Sequence, residues 1–192
     1  MPEVIFGGPD GRLEGRYQEG KGDNPPVALI LHSDPQFGSN MNHKVCYYLY
    51  HSFKRRGFSV LRFNFRGVGR SQGTFDDGIG ELSDAAAALD WIQSHNRDAS
   101  SCWIAGYSFG AWIGMQLLMR RPEIQGFLSV SHQPIYMTSV SLLPARHRVR
   151  SFREQQIPLC LKLLCKSWLK NYRRKKVSKF NMIKLKGPIT FM

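Results

Sequence analysis

The stretch WIAGYSFGAWIG, residues 103–114, decides the fold of this chain. Ser108 lies between Gly106 and Gly110 in a G-x-S-x-G pattern, after a short apolar run and before a helical pattern. A sharp strand-to-helix turn strains the backbone at the serine, and the residues two positions away must be small for the turn to close. The context predicts a serine nucleophile presented at the end of a buried strand.

Strands and helices alternate on both sides of this stretch. Strands are predicted over residues 3–8, 12–18, 27–32, 58–65, 101–106 and 126–131, and helices over residues 41–56, 80–95 and 109–121. Such alternation implies right-handed crossovers and a mostly parallel sheet, which binds ligands at the carboxyl ends of its strands. His32, the loop 64–69 and Ser108 all follow predicted strands, so we expect them at that edge.

Charge divides the chain into two parts. Residues 1–133 carry 13 Lys and Arg against 13 Asp and Glu, whereas residues 134–192 carry 14 Lys and Arg against one acid, Glu154. Of the 18 glycines, 17 precede residue 134. These shifts predict an α/β core over residues 1–133 and a basic tail without a native fold over residues 134–192.

Targeting and metal signals are not found in the sequence. The N-terminal segment lacks a basic region followed by a long apolar run, and no apolar run approaches the roughly 18 residues of a membrane span. The four cysteines show no zinc-ligand spacing. We therefore expect a cytoplasmic protein with reduced thiols and with no transmembrane segment, metal or organic cofactor.

Three ordered blocks resemble the α/β-hydrolase superfamily: LILHSDPQFGSNMNHKV (29–45), LRFNFRGVGRSQGTFDDGIGELSDAAAALDW (61–91) and WIAGYSFGAWIGMQLLMRRPEIQGF (103–127). They look most like a small bacterial, dienelactone-hydrolase-like group, over residues 1–133. The resemblance implies an α/β-hydrolase fold, here incomplete after the sixth strand. It also implies a serine hydrolase acting on a small-molecule ester or related acyl substrate. The oligomeric state is left open.

The expected site combines the strand-to-helix turn at Ser108 with the loop after the strand 27–32. Ser108 is the expected nucleophile, and the amide of Phe109 at a helix N-terminus points at the developing oxyanion. The resemblance implies a second oxyanion amide in the loop, for which we choose Gln36, although the family's repeated histidine-proline pair is absent here. His32 is read as a structural histidine of that loop rather than as a base.

Two arginines of the R-G-x-G-x-S-like loop are possible substrate residues. Arg66 and Arg70 are placed to bind a substrate carboxylate. The alternative is that they are solvated or paired with a helix. Gly67 and Gly69 let the backbone pass near the site.

The catalytic acid and histidine are missing from their expected places. In this fold the chain order is Ser, then Asp or Glu, then His. After Ser108 the chain contains only two acids and two histidines: Glu123, Glu154, His132 and His147. His132 ends a predicted strand beside the serine strand and is the one candidate base, but it has no partner acid. We therefore expect impaired catalysis.

A shifted reading frame accounts for the break near residue 134. Codons compatible with residues 136–192 permit a frame that reads as an aspartate loop, a helix, a strand and a G-A-N-H-F histidine loop, in the order of the family. Frameshift and truncation are thus predicted. Taken as written, residues 157–186 are basic and partly amphipathic, which leaves a second hypothesis of a non-catalytic protein binding membrane or nucleic acid through them. No recognised nucleic-acid fold accompanies them.

Overall fold

The computed structural model describes residues 2–130, so the predictions on His132 and on the basic tail lie outside the described residues. The strands are β1 (Glu3–Gly8), β2 (Gly11–Gln18), β3 (Val27–Leu31), β4 (Ser59–Phe63), β5 (Cys102–Tyr107) and β6 (Ile124–Val130). The helices are α1 (Lys44–Lys54), α2 (Ile79–His95) and α3 (Phe109–Arg120), with a short 3-10 turn at Pro35–Phe37.

The strands form one mixed sheet in the order β1-β2-β4-β3-β5-β6. β1 pairs with β2, and β2 with β4, in antiparallel fashion, whereas β4, β3, β5 and β6 are parallel. This confirms the predicted mostly parallel sheet. Because β3, β4 and β5 run in one direction, His32, Asn64 and Ser108 all follow strands at the same edge of the sheet.

Burial follows the sequence pattern. All five residues of β3 and of β4 are buried, as expected of strands covered on both faces. α1 buries Val45, Leu49 and Phe53 at helical spacing, and α2 buries Ala85 and Leu89. Among the described strands, β6 pairs with β5 alone and therefore ends this part of the sheet.

The predictions for β4 and α1 extend beyond the observed elements at both ends. β4 ends at Phe63, and beyond it the Phe65 amide donates to the His32 side chain at Nε2 rather than to a neighbouring strand. α1 begins at Lys44 because the Nδ1 atom of the preceding residue, His43, accepts a hydrogen bond from the Val45 amide. Tertiary contacts and a side-chain cap thus set bounds that periodicity alone does not mark.

Candidate active site

Ser108 occupies a strained turn between β5 and α3. Its φ of 53° and ψ of −112° lie in a region that residues with a β-carbon rarely adopt. The Ser108 amide donates to the Val130 carbonyl oxygen at 2.9 Å, and the Ser108 carbonyl oxygen accepts from the Ala111 amide at 3.0 Å. These backbone bonds hold the serine in its strained conformation at the N-terminus of α3.

Gly106 and Gly110 are small because the turn leaves no room for a β-carbon. One on Gly106 would lie 2.5 Å from the Ala111 α-carbon, and one on Gly110 would lie 2.5 Å from the Leu31 carbonyl oxygen. Both are separations that real β-carbons do not show. The geometry therefore explains the two glycines, one against the first turn of α3 and the other against the end of β3.

His32 joins the ends of two neighbouring strands. Its ring is buried, Nδ1 donates to the Ser33 carbonyl oxygen at 2.6 Å, and Nε2 accepts from the Phe65 amide at 3.1 Å. Burial lowers the pKa of His32 to about 4, which outweighs the raising effect of the Ser33 carbonyl. His32 is thus a neutral histidine with both ring nitrogens engaged, and its structural role stays a prediction.

The loop after β3 is held by Asn64 and Asp34. Asn64 Oδ1 accepts from the Met41 amide at 2.8 Å, and Asn64 Nδ2 donates to the Glu14 carboxylate at 2.9 Å. Asp34 Oδ1 accepts from the Gln36 amide at 2.9 Å. The Gln36 amide is therefore bound to a carboxylate here, and its use as an oxyanion donor stays a prediction that requires this bond to open.

Arg66 does not lie free for a substrate. Its guanidinium forms a two-point pair with the Asp84 carboxylate on α2, with Nε at 3.0 Å and Nη2 at 2.8 Å, and its amide donates to the same group. The bonds to Asp84 raise the pKa of Arg66. The predicted role in binding a substrate carboxylate is thereby corrected for Arg66 in favour of the helix-paired alternative.

Arg70 is a solvated arginine. Its side chain is 65% exposed, with Nη1 at 3.4 Å from the Glu3 carboxylate, and its amide donates to Glu14. An exposed pair of this kind contributes little to stability. A role for Arg70 in substrate binding stays a prediction.

The structure adds two features that the sequence analysis missed. Asp84 is buried on α2 beside Ala85, one turn after the buried Glu81, and an acid on the buried face of a helix is a readable sign of an ion pair. The His43 ring stacks on Tyr107, the residue before Ser108, with centroids 5.0 Å apart and planes 17° apart. No sequence periodicity links these two rings, because they come from different elements.

The described residues contain neither a candidate metal cluster nor a membrane-spanning helix. Within residues 2–130 no cluster of three or more His, Cys, Asp or Glu side chains is suited to a metal ion. No helix in the same range is long and apolar enough to cross a membrane. Cys46 and Cys102 are free and buried, and burial raises the pKa of each thiol to about 12.

The parallel sheet, the strained serine turn and its two glycines define an α/β hydrolase. Residues 20–131 match the family model described as X-Pro dipeptidyl-peptidase (S15 family), and the chain belongs to this family of α/β hydrolases. The match ends at residue 131, in agreement with a likeness that covers the first part of the chain. The dienelactone-hydrolase-like subgroup stays a prediction.

Solved structures give the same fold. A protein of unknown function from Agrobacterium tumefaciens, described as a candidate α/β hydrolase, is 51% identical with a TM-score of 0.73, covering 91% of this chain and 80% of that one. An α/β serine hydrolase homologue from Coxiella burnetii is 35% identical with a TM-score of 0.66, covering 70% of this chain and 64% of that one.

A curated relative from Rickettsia prowazekii (strain Madrid E), an uncharacterised protein, is 56% identical over 131 residues. These residues make up 68% of this chain and 55% of the relative. The matched segment thus spans about half of that relative's length.

Proposed function

We propose that this chain is a serine hydrolase in which the Ser108 hydroxyl attacks the carbonyl carbon of an ester, thioester or related acyl substrate. The observation that carries the proposal is the strained backbone of Ser108 between two glycines that tolerate no β-carbon. Strain of this kind persists only where the surrounding structure enforces it, and it clusters at functional sites. An ordinary turn serine has no need of it.

The expected chemistry is acyl transfer. Attack by Ser108 Oγ forms a tetrahedral oxyanion, and expulsion of the alcohol or thiol leaves an acyl-serine that water then hydrolyses. Phe109 is the first residue of α3, so its amide lies at the positive end of the helix dipole and is the first oxyanion donor. The Gln36 amide is the second donor that we propose, after release from Asp34.

Proton transfer from Ser108 has no assigned base within residues 2–130. His32 cannot serve as the base, because both of its ring nitrogens are engaged and its pKa is lowered to about 4. Among residues 2–130 no histidine is hydrogen-bonded to the Ser108 hydroxyl. His132 is the base that remains as a proposal, without an acid to orient it. In a related triad, loss of the histidine lowers kcat on the order of 10⁶-fold.

The proposed lack of a catalytic acid and base would follow from the proposed frameshift. The basic tail begins near the residue at which the family match ends, and a shifted frame permits the acid and histidine loops that the family requires. Resequencing the gene across codons 130–192 and beyond tests this idea. A read without the slip indicates an intact hydrolase, whereas a confirmed slip indicates a truncated one.

A fluorophosphonate probe tests the nucleophile. We expect slow labelling of the purified full chain, with intact mass and peptide mapping placing one adduct on Ser108. Ser108→Ala is expected to remove the adduct while Ser83→Ala, on the exposed side of α2, retains it. An unlabelled but folded protein would contradict the nucleophile. Rapid p-nitrophenyl acetate turnover that Ser108→Ala abolishes would contradict the impairment alone.

Two further candidates have specific support. The family model is named for a peptidase, which makes an amide or peptide bond the alternative scissile bond within the same mechanism. The charge of the tail supports a non-catalytic protein that binds membrane or nucleic acid through residues 157–186. Salt-sensitive binding that a deletion of these residues removes, without any labelling of Ser108, would favour that binder.

A further inference from the structure

The sequence between Asp34 and Asp76 contains no acidic residue, although it carries seven Lys and Arg. α1 lies in the middle of this segment. Two of the seven, Arg62 and Arg66, are buried, so the remaining basic residues determine the surface charge of this region. The helix therefore presents a positive surface that nothing within the segment neutralises.

The outward stripe of α1 consists of aromatic and basic residues alone. Its members, at spacings of three and four residues, are Lys44, Tyr47, Tyr48, His51, Lys54 and, just after the helix, Arg55. Tyr47 is 46% exposed, Tyr48 and His51 are half-buried, and the three basic residues are exposed. The opposite face buries apolar residues on the sheet. Aromatic rings thus form the centre of the stripe and cations lie at both of its ends.

The rings are held by their neighbours. The Tyr47 and His51 ring centroids lie 4.2 Å apart, and the Arg62 guanidinium lies 5.8 Å from the Tyr47 ring centroid. The Lys44 ammonium lies 5.8 Å from the Tyr48 centroid. Each ring is therefore oriented within the free protein, and little conformational freedom remains to be lost when the stripe binds a partner.

We propose that this stripe of α1 binds an anionic phospholipid surface. Tyrosine rings, with an apolar body and a polar tip, favour the headgroup level, and lysine and arginine gain about 1 kcal/mol each near anionic lipids. The tail of the same chain carries 14 Lys and Arg against one acid, so like-charge repulsion disfavours it as the occupant of the stripe. A second copy of α1 is disfavoured by the same repulsion.

A nucleic acid fits the stripe less well. Single-stranded bases bind protein chiefly by stacking on open aromatic faces. The Tyr47 ring is already contacted by His51 and Arg62, and the Tyr48 ring is contacted by Lys44. The ring edges and hydroxyl groups are what the stripe offers, and these suit a headgroup layer.

Vesicle co-sedimentation of the full chain tests the proposal. We expect stronger partition onto vesicles of phosphatidylcholine with phosphatidylglycerol than onto pure phosphatidylcholine vesicles. The variant Lys54→Glu with Arg55→Glu should lower the partition coefficient at least tenfold. The control Arg12→Glu with Arg97→Glu makes the same change in net charge at exposed positions away from α1, and it should cost less than threefold. Because the tail is intact in every variant, its own contribution cancels.

Tyr47→Ser separates the aromatic contribution from charge, since it leaves net charge unchanged. We expect at least a threefold loss of partition, with an unchanged thermal midpoint showing that the fold is retained. Equal losses of vesicle partition for Lys54→Glu with Arg55→Glu and for its control would overturn the proposal. Undiminished vesicle binding by Tyr47→Ser would overturn it too. The affinity of the α1 variant for a 20-nucleotide single strand is measured as well. If Lys54→Glu with Arg55→Glu weakens that affinity more than it weakens vesicle binding, the proposal is overturned in favour of a nucleic acid.

Discussion

Gly110 packs directly against the backbone of His32, so closely that a β-carbon on Gly110 would overlap the His32 carbonyl oxygen. This contact joins the first turn of α3 to the end of β3. The serine turn and the loop proposed to bind the oxyanion are therefore held together by backbone rather than by a flexible side chain. Such a contact has no means of relaxing when an atom is added.

Gly110→Ala is accordingly expected to cost about 3 kcal/mol or more of unfolding free energy, since overpacking against backbone forces the strand and the helix apart. Urea denaturation followed by circular dichroism measures the loss. Gly7→Ala is the matched control, because Gly7 lies in β1 with nothing near its missing β-carbon. Equal stability of the two variants would show that α3 can shift away from β3 without penalty.

Ser108→Gly is expected to raise the unfolding free energy by about 1 kcal/mol. Strain at a non-glycine residue costs about 1–3 kcal/mol, so relieving it stabilises the fold. Glycine also has more conformational freedom in the unfolded chain, which cancels part of this stabilisation. The serine side chain makes no helix-capping hydrogen bond that would be lost. Thermal melts of Ser108→Gly and Ser108→Ala check this, because alanine retains the strain. Identical melting midpoints for the two variants would argue against backbone strain at residue 108.

Arg66→Ala is expected to cost about 3–5 kcal/mol, because it leaves the Asp84 carboxylate buried with only the amide of residue 66 as a partner. Asp84→Ala is expected to cost less, because the Asp10 carboxylate still lies 3.7 Å from the Arg66 guanidinium. Arg70→Ala, at an exposed position, should change stability by less than about 0.5 kcal/mol. A double-mutant cycle on Arg66 and Asp84, measured by urea denaturation, gives their coupling. Additive losses would mean that the pair does not act as a unit.

The pH dependence of stability should carry the signature of His32. Its pKa is about 4 in the folded protein, below the ordinary value of 6.5, because burial disfavours the charged ring. Between these values the unfolded chain binds a proton that the folded chain does not, so stability falls as pH decreases from 6.5 to 4. The contribution is fully present above pH 6.5 and amounts to roughly 3 kcal/mol.

Urea denaturation between pH 4 and 7.5 measures this slope in the wild type and in His32→Gln. The unfolded chain binds more protons than the folded chain in this pH range, and His32→Gln is expected to reduce that difference by up to one proton. Its loss at pH 7.5 reports the broken hydrogen bonds and the lost ring contact with Phe65, which separates structure from titration. Equal slopes for the two proteins would mean that His32 takes up its proton in the folded state too.

Much of the fold could be predicted because its signals are local. The apolar run 27–31 and the spacing of Val45, Leu49 and Phe53 each depend on a few consecutive residues, and all these residues are buried. The pairing of Arg66 could not be predicted in this way, because its partner Asp84 lies 18 residues further on. The charge of a loop arginine does not reveal whether the side chain forms an ion pair. The same holds for the Gln36 amide, which a carboxylate two residues earlier occupies.

The sequence by itself determined the order of strands and helices, the serine turn with its two glycines, and the charge break near residue 134. Periodicity and the steric needs of one turn are properties of neighbouring residues, so they are readable without a structure. Only the tertiary structure decided that His32 Nε2 accepts a hydrogen bond from the Phe65 amide and that Gly110 packs against β3. These contacts arise where the carboxyl ends of parallel strands meet, and that meeting depends on how the whole sheet is assembled.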